Sequence, residues 1–169
     1  VGFQNPAISV TPGTTDEQSM NGQPRYFEDF SVGQKLAFGH YEVTKEEIVD
    51  FAREFDPQPH HLEEAAGARS MLGGLAASGW HICAMAMRMC CDALFVPGAA
   101  RGGAGVEDCR WLKPVKPGDV LRMEVEILEL RAHPRRAVGF VTMRWDLFNQ
   151  REQVARIVTT PLFATRGGA

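Results

Sequence analysis

Residues 55–94 read FDPQPHHLEEAAGARSMLGGLAASGWHICAMAMRMCCDAL, and the rest of the chain is organised around them. The stretch opens on an aspartate and two histidines interrupted by two prolines. It closes in the most apolar segment of the sequence, entered through Gly73, Gly74, Ser78 and Gly79. Asp56 and His61 are five positions apart, which turns side chains about 140° from each other on a helix and onto opposite faces on a strand. Pro57 and Pro59 lack an N–H and push the preceding residue towards extended geometry, so the sequence predicts a stiff, bent loop here in place of a helix. A loop of that kind can hold a carboxylate and an imidazole a few ångströms apart, as paired general acid–base catalysis requires. The same residues also fit a plain solvent-exposed turn.

The glycines carry two readings as well. A helix starting near Ser78 leaves the N–H groups of its first turn without intrahelical acceptors, at the positive end of the helix dipole. Gly79 has no side chain to keep a ligand from that backbone, so an oxyanion could be stabilised there. Equally, Gly73, Gly74 and Gly79 could serve only a tight turn and close packing.

Residues 70–87 contain no formal charge over 18 positions, near the length of a membrane span. Three glycines, two serines and His81 lie inside it, and Arg88 and Asp92 follow. The expectation is a buried central helix over 78–95, with Ile82, Met85, Met89 and Leu94 in the core. His81 is expected to be a packed, hydrogen-bonded residue. Met85, Met87 and Met89 fit either core or the lining of a tunnel.

Outward from this centre, residues 1–24 are polar, show no sustained period and lack the pattern of a signal peptide; a flexible N-terminal arm, or an extended one lying on a partner subunit, is expected. Residues 36–43 read as a strand. Thr44 and Glu47 form a capping-box pair, followed by a helix whose apolar face is Ile48, Phe51, Ala52 and Phe55 and which Pro57 ends. Residues 63–68 read as a short helix, and the Gly/Pro-rich run 96–105 as a loop. Beyond it lie strands with alternating apolar residues: 106–113, then Leu121, Met123, Val125 and Ile127, then Val141, Met143, Trp145 and Leu147, and last 154–165. Leu128 and Leu130 break the register, which predicts a bulge. Turns are expected at 114–119, 133–136 and 149–152. Long strands joined by tight turns favour an antiparallel sheet, giving an α+β domain over 25–169 with one buried helix.

The net charge of −3 offers no electrostatic case for nucleic acid or an anionic membrane. Cys83, Cys90, Cys91 and Cys109 have no zinc-like spacing with the histidines, and three of them lie on the apolar helix as small buried hydrophobes, so no metal is expected. Unpaired cysteines fit a reducing, cytoplasmic setting.

The run D-P-Q-P-H-H followed by G-G-L-A-A-S-G-W-H resembles the MaoC-like dehydratases, which include the (R)-specific enoyl-CoA hydratases. Asp56, Pro59 and His61 fit the family's motif, and Gly79 fits its oxyanion position. The resemblance extends to YFEDFSVGQ (26–34) and RWLKPVKPGDVL (110–121) and spans about residues 25–165. It implies a hot-dog fold, an antiparallel sheet wrapped around a long central helix, usually built as a homodimer or higher oligomer. It also implies an acyl-CoA substrate, with water added across a 2,3-double bond or eliminated, and no cofactor beyond the coenzyme A of the substrate. Asp56 and His61 would share one water, one taking its proton as it attacks C3 and the other protonating C2, with the thioester oxygen against backbone N–H groups at Gly79. Ser78 and Trp80, which flank Gly79, are the expected substrate contacts. Arg135 with Arg136, or Arg110 with Lys113, could meet the phosphates of coenzyme A.

Three departures stand out: Gln58 where the family commonly has Asn, Ser78 where it often has His, and Ala84 where the better-known hydratases carry Ser. A hot-dog thioesterase and a non-catalytic acyl-CoA-binding subunit are the alternative functions.

Overall fold

The computed structural model describes residues 24–95 and 99–168. The expected N-terminal arm lies outside them, apart from Pro24. Five strands form one antiparallel sheet in the order β1-β3-β4-β5-β2, with β1 Lys35–Glu42, β2 Ala100–Trp111, β3 Val120–Ala132, β4 Val138–Phe148 and β5 Gln153–Ala164. Among the described residues, four helices lie between β1 and β2: α1 Lys45–Phe55, α2 Pro59–Leu62, α3 Glu64–Arg69 and α4 Gly79–Ala93.

Alternation along β3 and β4 sends Leu121, Met123, Val125 and Ile127, with Val141, Met143, Trp145 and Leu147, into one core. The face of α4 bearing Ile82, Met85, Ala86 and Met89 packs into that core. This sheet wrapped on one helix is the expected hot-dog arrangement. The register between β3 and β4 shifts between Ile127 and Glu129, where the broken alternation placed a bulge. The turn at 133–136 is fastened by His133 Nδ1, which accepts from the N–H groups of Arg135 and Arg136.

Helix α1 starts where the capping pair placed it. Thr44 Oγ1 accepts from the Glu47 N–H, but Glu47 does not return the bond to the Thr44 backbone. Its carboxylate accepts instead from the hydroxyls of Thr44 and Tyr41. Ile48 and Ala52 are buried, whereas Phe55 is 64 % exposed at the end of the expected apolar face.

Four expectations are corrected. Residues 100–105 are strand: β2 begins at Ala100, and pairing with β5 carries the glycines through several register shifts. Backbone bonds to a neighbouring strand outweigh the low strand preference of glycine at a sheet edge. Residues 59–62 form a helical turn, because Pro59 sits at its first position, where a missing N–H costs nothing. Helix α4 is buried on one face only; Trp80 and Met87 are exposed on the other, because a single chain supplies one layer to pack against. Cys91 accordingly lies exposed, while Cys90 is fully buried.

Among the described residues, no helix is long and apolar enough to cross a membrane.

Candidate active site

Pro57 stops α1 at Phe55 and leaves Asp56 as its C-cap. The helical turn that starts at Pro59 then carries His61 back towards it. His61 Nε2 lies 3.6 Å from Asp56 Oδ2, so the stiff, proline-bound segment does bring the two together. His61 is buried, and its Nδ1 is 2.7 Å from the carbonyl oxygen of Ala76. A carbonyl only accepts, so Nδ1 carries the proton, and in the neutral ring Nε2 is left with a lone pair directed at Asp56. Two acceptors face each other, an arrangement that a single water can bridge by donating to both.

Asp56 is held from two further sides. Ser78 Oγ donates to Oδ2 at 2.6 Å and Gln58 Nε2 donates to Oδ1 at 2.7 Å. These bonds, Ser78 first, hold the carboxyl below its ordinary range against the opposing effect of burial. The Ser78 hydroxyl also accepts from the Trp80 N–H, capping α4. One side chain thus ties the carboxylate to the start of the central helix. A carboxyl-carbon NMR titration should place the Asp56 midpoint below the ordinary value of about 3.9, and Ser78→Ala should raise it. Because the folded value is depressed, the linked stabilisation is present above the unfolded value and is lost as pH falls through the folded one. An unmoved midpoint in Ser78→Ala would remove the serine as its cause.

His61 and Gly79 both line a cleft of about 420 Å³, together with Leu72, Ala77, Ile82 and Trp111. Gly79 is the first residue of α4, so its N–H has no intrahelical acceptor. A Cβ at Gly79 would sit within 2.7 Å of Trp111 Cζ2, so the indole lies directly on this glycine. Gly73 and Gly74 both have positive φ and shape the turn that leads into the segment 75–78.

The remaining expected contacts are scattered. Trp80 is 64 % exposed and lines a different cavity from the cleft. Arg135 and Arg136 lie in the β3–β4 turn, where Val138 opposes Ala164 of β5, whereas Trp111 opposes Ala155. Nine residues of strand separate those two levels of β5, about 30 Å at ~3.3 Å per residue. Within this chain neither arginine meets the cleft. Lys113 lines it, 3.4 Å from Glu152 at the Nζ. Ala84 is exposed, away from the buried face of α4. His81 is packed as expected, stacked on Phe51 with its Nε2 3.4 Å from Glu47 Oε1. Burial holds its pKa below the ordinary histidine value.

The carbonyl of Ala76 left no mark in the sequence, since any residue supplies one. Trp111 was visible within RWLKPVKPGD, but nothing there placed its ring on Gly79.

The described residues thus form a hot-dog domain with an Asp/His pair beside the start of its central helix. The profile of the MaoC like domain matches residues 29–145. The crystal structure of the MaoC-like dehydratase from Rhodospirillum rubrum is similar at a TM-score of 0.77 and 38 % identity, over 84 % of this chain and 98 % of that one. The uncharacterized protein YdeM of Bacillus subtilis (strain 168) is 30 % identical over 125 residues, 74 % of this chain and 88 % of its own length. The 3-hydroxybutyryl-CoA dehydratase of Methylorubrum extorquens is 31 % identical over 113 residues, 66 % of this chain and 69 % of its own. The chain belongs to the MaoC-like dehydratase family.

Proposed function

We propose that the protein is an enoyl-CoA hydratase, or a dehydratase in the reverse direction, acting on the 2,3-double bond of an acyl-CoA thioester. The observation that carries this reading is the 2.7 Å contact of His61 Nδ1 with the Ala76 carbonyl oxygen, which fixes the tautomer. With Nδ1 donating to Ala76, Nε2 and the Asp56 carboxylate form two acceptors for one water. The water oxygen attacks C3 as Nε2 takes its proton, and the electron pair of the double bond moves onto the thioester oxygen. The Gly79 N–H stabilises that oxygen at the positive end of α4. The imidazolium then returns a proton to C2, so that one hydroxyl and one hydrogen are added in total. Asp56, held ionised by Ser78 and Gln58, orients the water and stabilises the imidazolium. The reading also agrees with the name of the Methylorubrum extorquens relative. Lys113, on the cleft wall, takes the place of Arg135 and Arg136 as this chain's cation for the phosphates of coenzyme A.

The test is crotonyl-CoA with purified protein, following loss of the conjugated thioester absorbance while assaying free thiol in the same tube. Absorbance loss without thiol supports hydration. Thiol release would move the assignment to thioester hydrolysis, and binding without turnover would make the chain an acyl-CoA-binding subunit.

The reading extends to a homodimer. Strand β2 is twelve residues long and forms an open sheet edge, next to the exposed Trp80 and Met87 of α4. Long unpaired edges pair with further strands unless they are covered. Light scattering should give at least twice the mass of one chain, and a monomer would refute the dimer.

A further inference from the structure

Two cavities flank the start of α4. The cleft takes Gly79 and Ile82 from the helix. A second cavity, of about 360 Å³, takes Trp80, Cys83 and Met87 from the same helix and Val106 and Cys109 from β2. Trp111 lines the cleft, and Cys109, two residues earlier on β2, lines the second cavity. The Trp111 ring lies on Gly79 and makes a T-shaped contact with Trp80, a residue of the second cavity, with centroids 5.5 Å apart and planes crossing at 76°. The residues on the far side are mostly apolar; of the polar ones, the Thr159 hydroxyl donates to the Gly105 carbonyl, Glu107 accepts from Thr160 and Asp108 accepts from Arg110. A thioester whose oxygen rests at Gly79 and whose chain runs along α4 towards Met87 meets the indole before it reaches that space.

We propose that Trp111 is the specificity-determining residue of the site: it closes the cleft off from the second cavity and so restricts the acyl group to short chains. The second cavity, which the proposed dimer would also border, is the space a longer apolar chain would occupy with the ring gone. This rests on the proposed function, in that it places the thioester oxygen at Gly79. Trp111 is 47 % exposed, outside the tightly packed core, so replacing its ring leaves that core intact.

The experiment compares kcat/KM for trans-2-butenoyl-CoA and trans-2-decenoyl-CoA in the wild type, Trp111→Ala and Trp111→Phe. A single methylene accepted or refused by an apolar pocket changes kcat/KM by about 10- to 200-fold. The wild type should therefore favour butenoyl-CoA by at least about tenfold, and Trp111→Ala should raise the decenoyl-to-butenoyl ratio by at least about tenfold, with Trp111→Phe between. Adding Val106→Phe to Trp111→Ala refills the second cavity and should return the ratio towards the wild type. Calorimetric binding of butyryl-CoA and decanoyl-CoA to the same variants reads the gate without turnover. If the wild type hydrates neither thioester, the hydratase reading fails and the binding ratio alone decides on the gate. A ratio unchanged in both folded Trp111 variants, or a wild type that already prefers the ten-carbon chain, overturns the proposal.

Discussion

His61→Ala and Asp56→Asn should each lower kcat/KM for crotonyl-CoA hydration by at least about 100-fold, the low end of what a positioned acid–base group contributes. The two losses differ in origin. His61→Ala removes the Nε2 acceptor and also leaves the Ala76 carbonyl without its 2.7 Å partner, so some loss of stability accompanies the loss of rate. Asp56→Asn keeps the shape but turns one acceptor oxygen into a donor, against the donors Ser78 and Gln58 that now hold the carboxylate. The double variant should be scarcely slower than the worse single one, because both groups act through one water. Steady-state kinetics on the three proteins, with circular dichroism to verify folding, decides this. Either single variant retaining near-normal turnover would remove its residue from the mechanism.

Gly67→Ala should destabilise the fold by about 2 kcal/mol. Gly67 lies buried in α3, and the chain returning from the glycine turn passes directly over it. A Cβ there would stand 2.5 Å from the carbonyl carbon and oxygen of Gly74 and 2.6 Å from the Leu75 nitrogen. All three are backbone atoms, which cannot swing aside, so overpacking costs about 3 kcal/mol, near the top of its usual range. Alanine recovers only about 1 kcal/mol of helix propensity. For a domain of this size the difference lowers Tm by roughly 4–8 °C. The Gly74 N–H also donates to the Gly67 carbonyl at 3.0 Å, so forcing the two apart loosens the strand of backbone that ends at Ala76. Activity should therefore fall along with stability. A thermal melt showing an unchanged or higher Tm would sink this account.

Much of the fold could be read from the sequence, because it rests on periodicity. Leu121 to Ile127 and Val141 to Leu147 alternate without interruption, and the sheet follows them. Ser78 and the apolar residues after it gave the central helix to within a residue or two at either end. What could not be read depended on neighbours distant in the chain. Ala100 to Gly105 have no strand character of their own and acquire it from β5, more than fifty residues later. The exposure of Trp80 and Met87 reflects how many layers one chain can supply, which no local pattern encodes.

The site divides in the same way. The candidates Asp56 and His61 stand out by residue type and by the prolines between them, and Gly79 by its place at the start of the apolar helix. Their fastening does not: Ser78 reaches Asp56 across twenty-two residues, and Ala76 reaches His61 across fifteen through a backbone oxygen. The basic turn at Arg135 and Arg136 attracted attention by charge alone, and the sheet carries it away from the cleft.

The groups assigned to the reaction all lie between Asp56 and Gly79, while the ring that faces them comes from the end of β2, more than thirty residues downstream. On these proposals, bond-making and substrate choice are written on separate stretches of the gene. Drift or recombination in the downstream stretch can produce descendants with new appetites while the inherited chemistry stays whole.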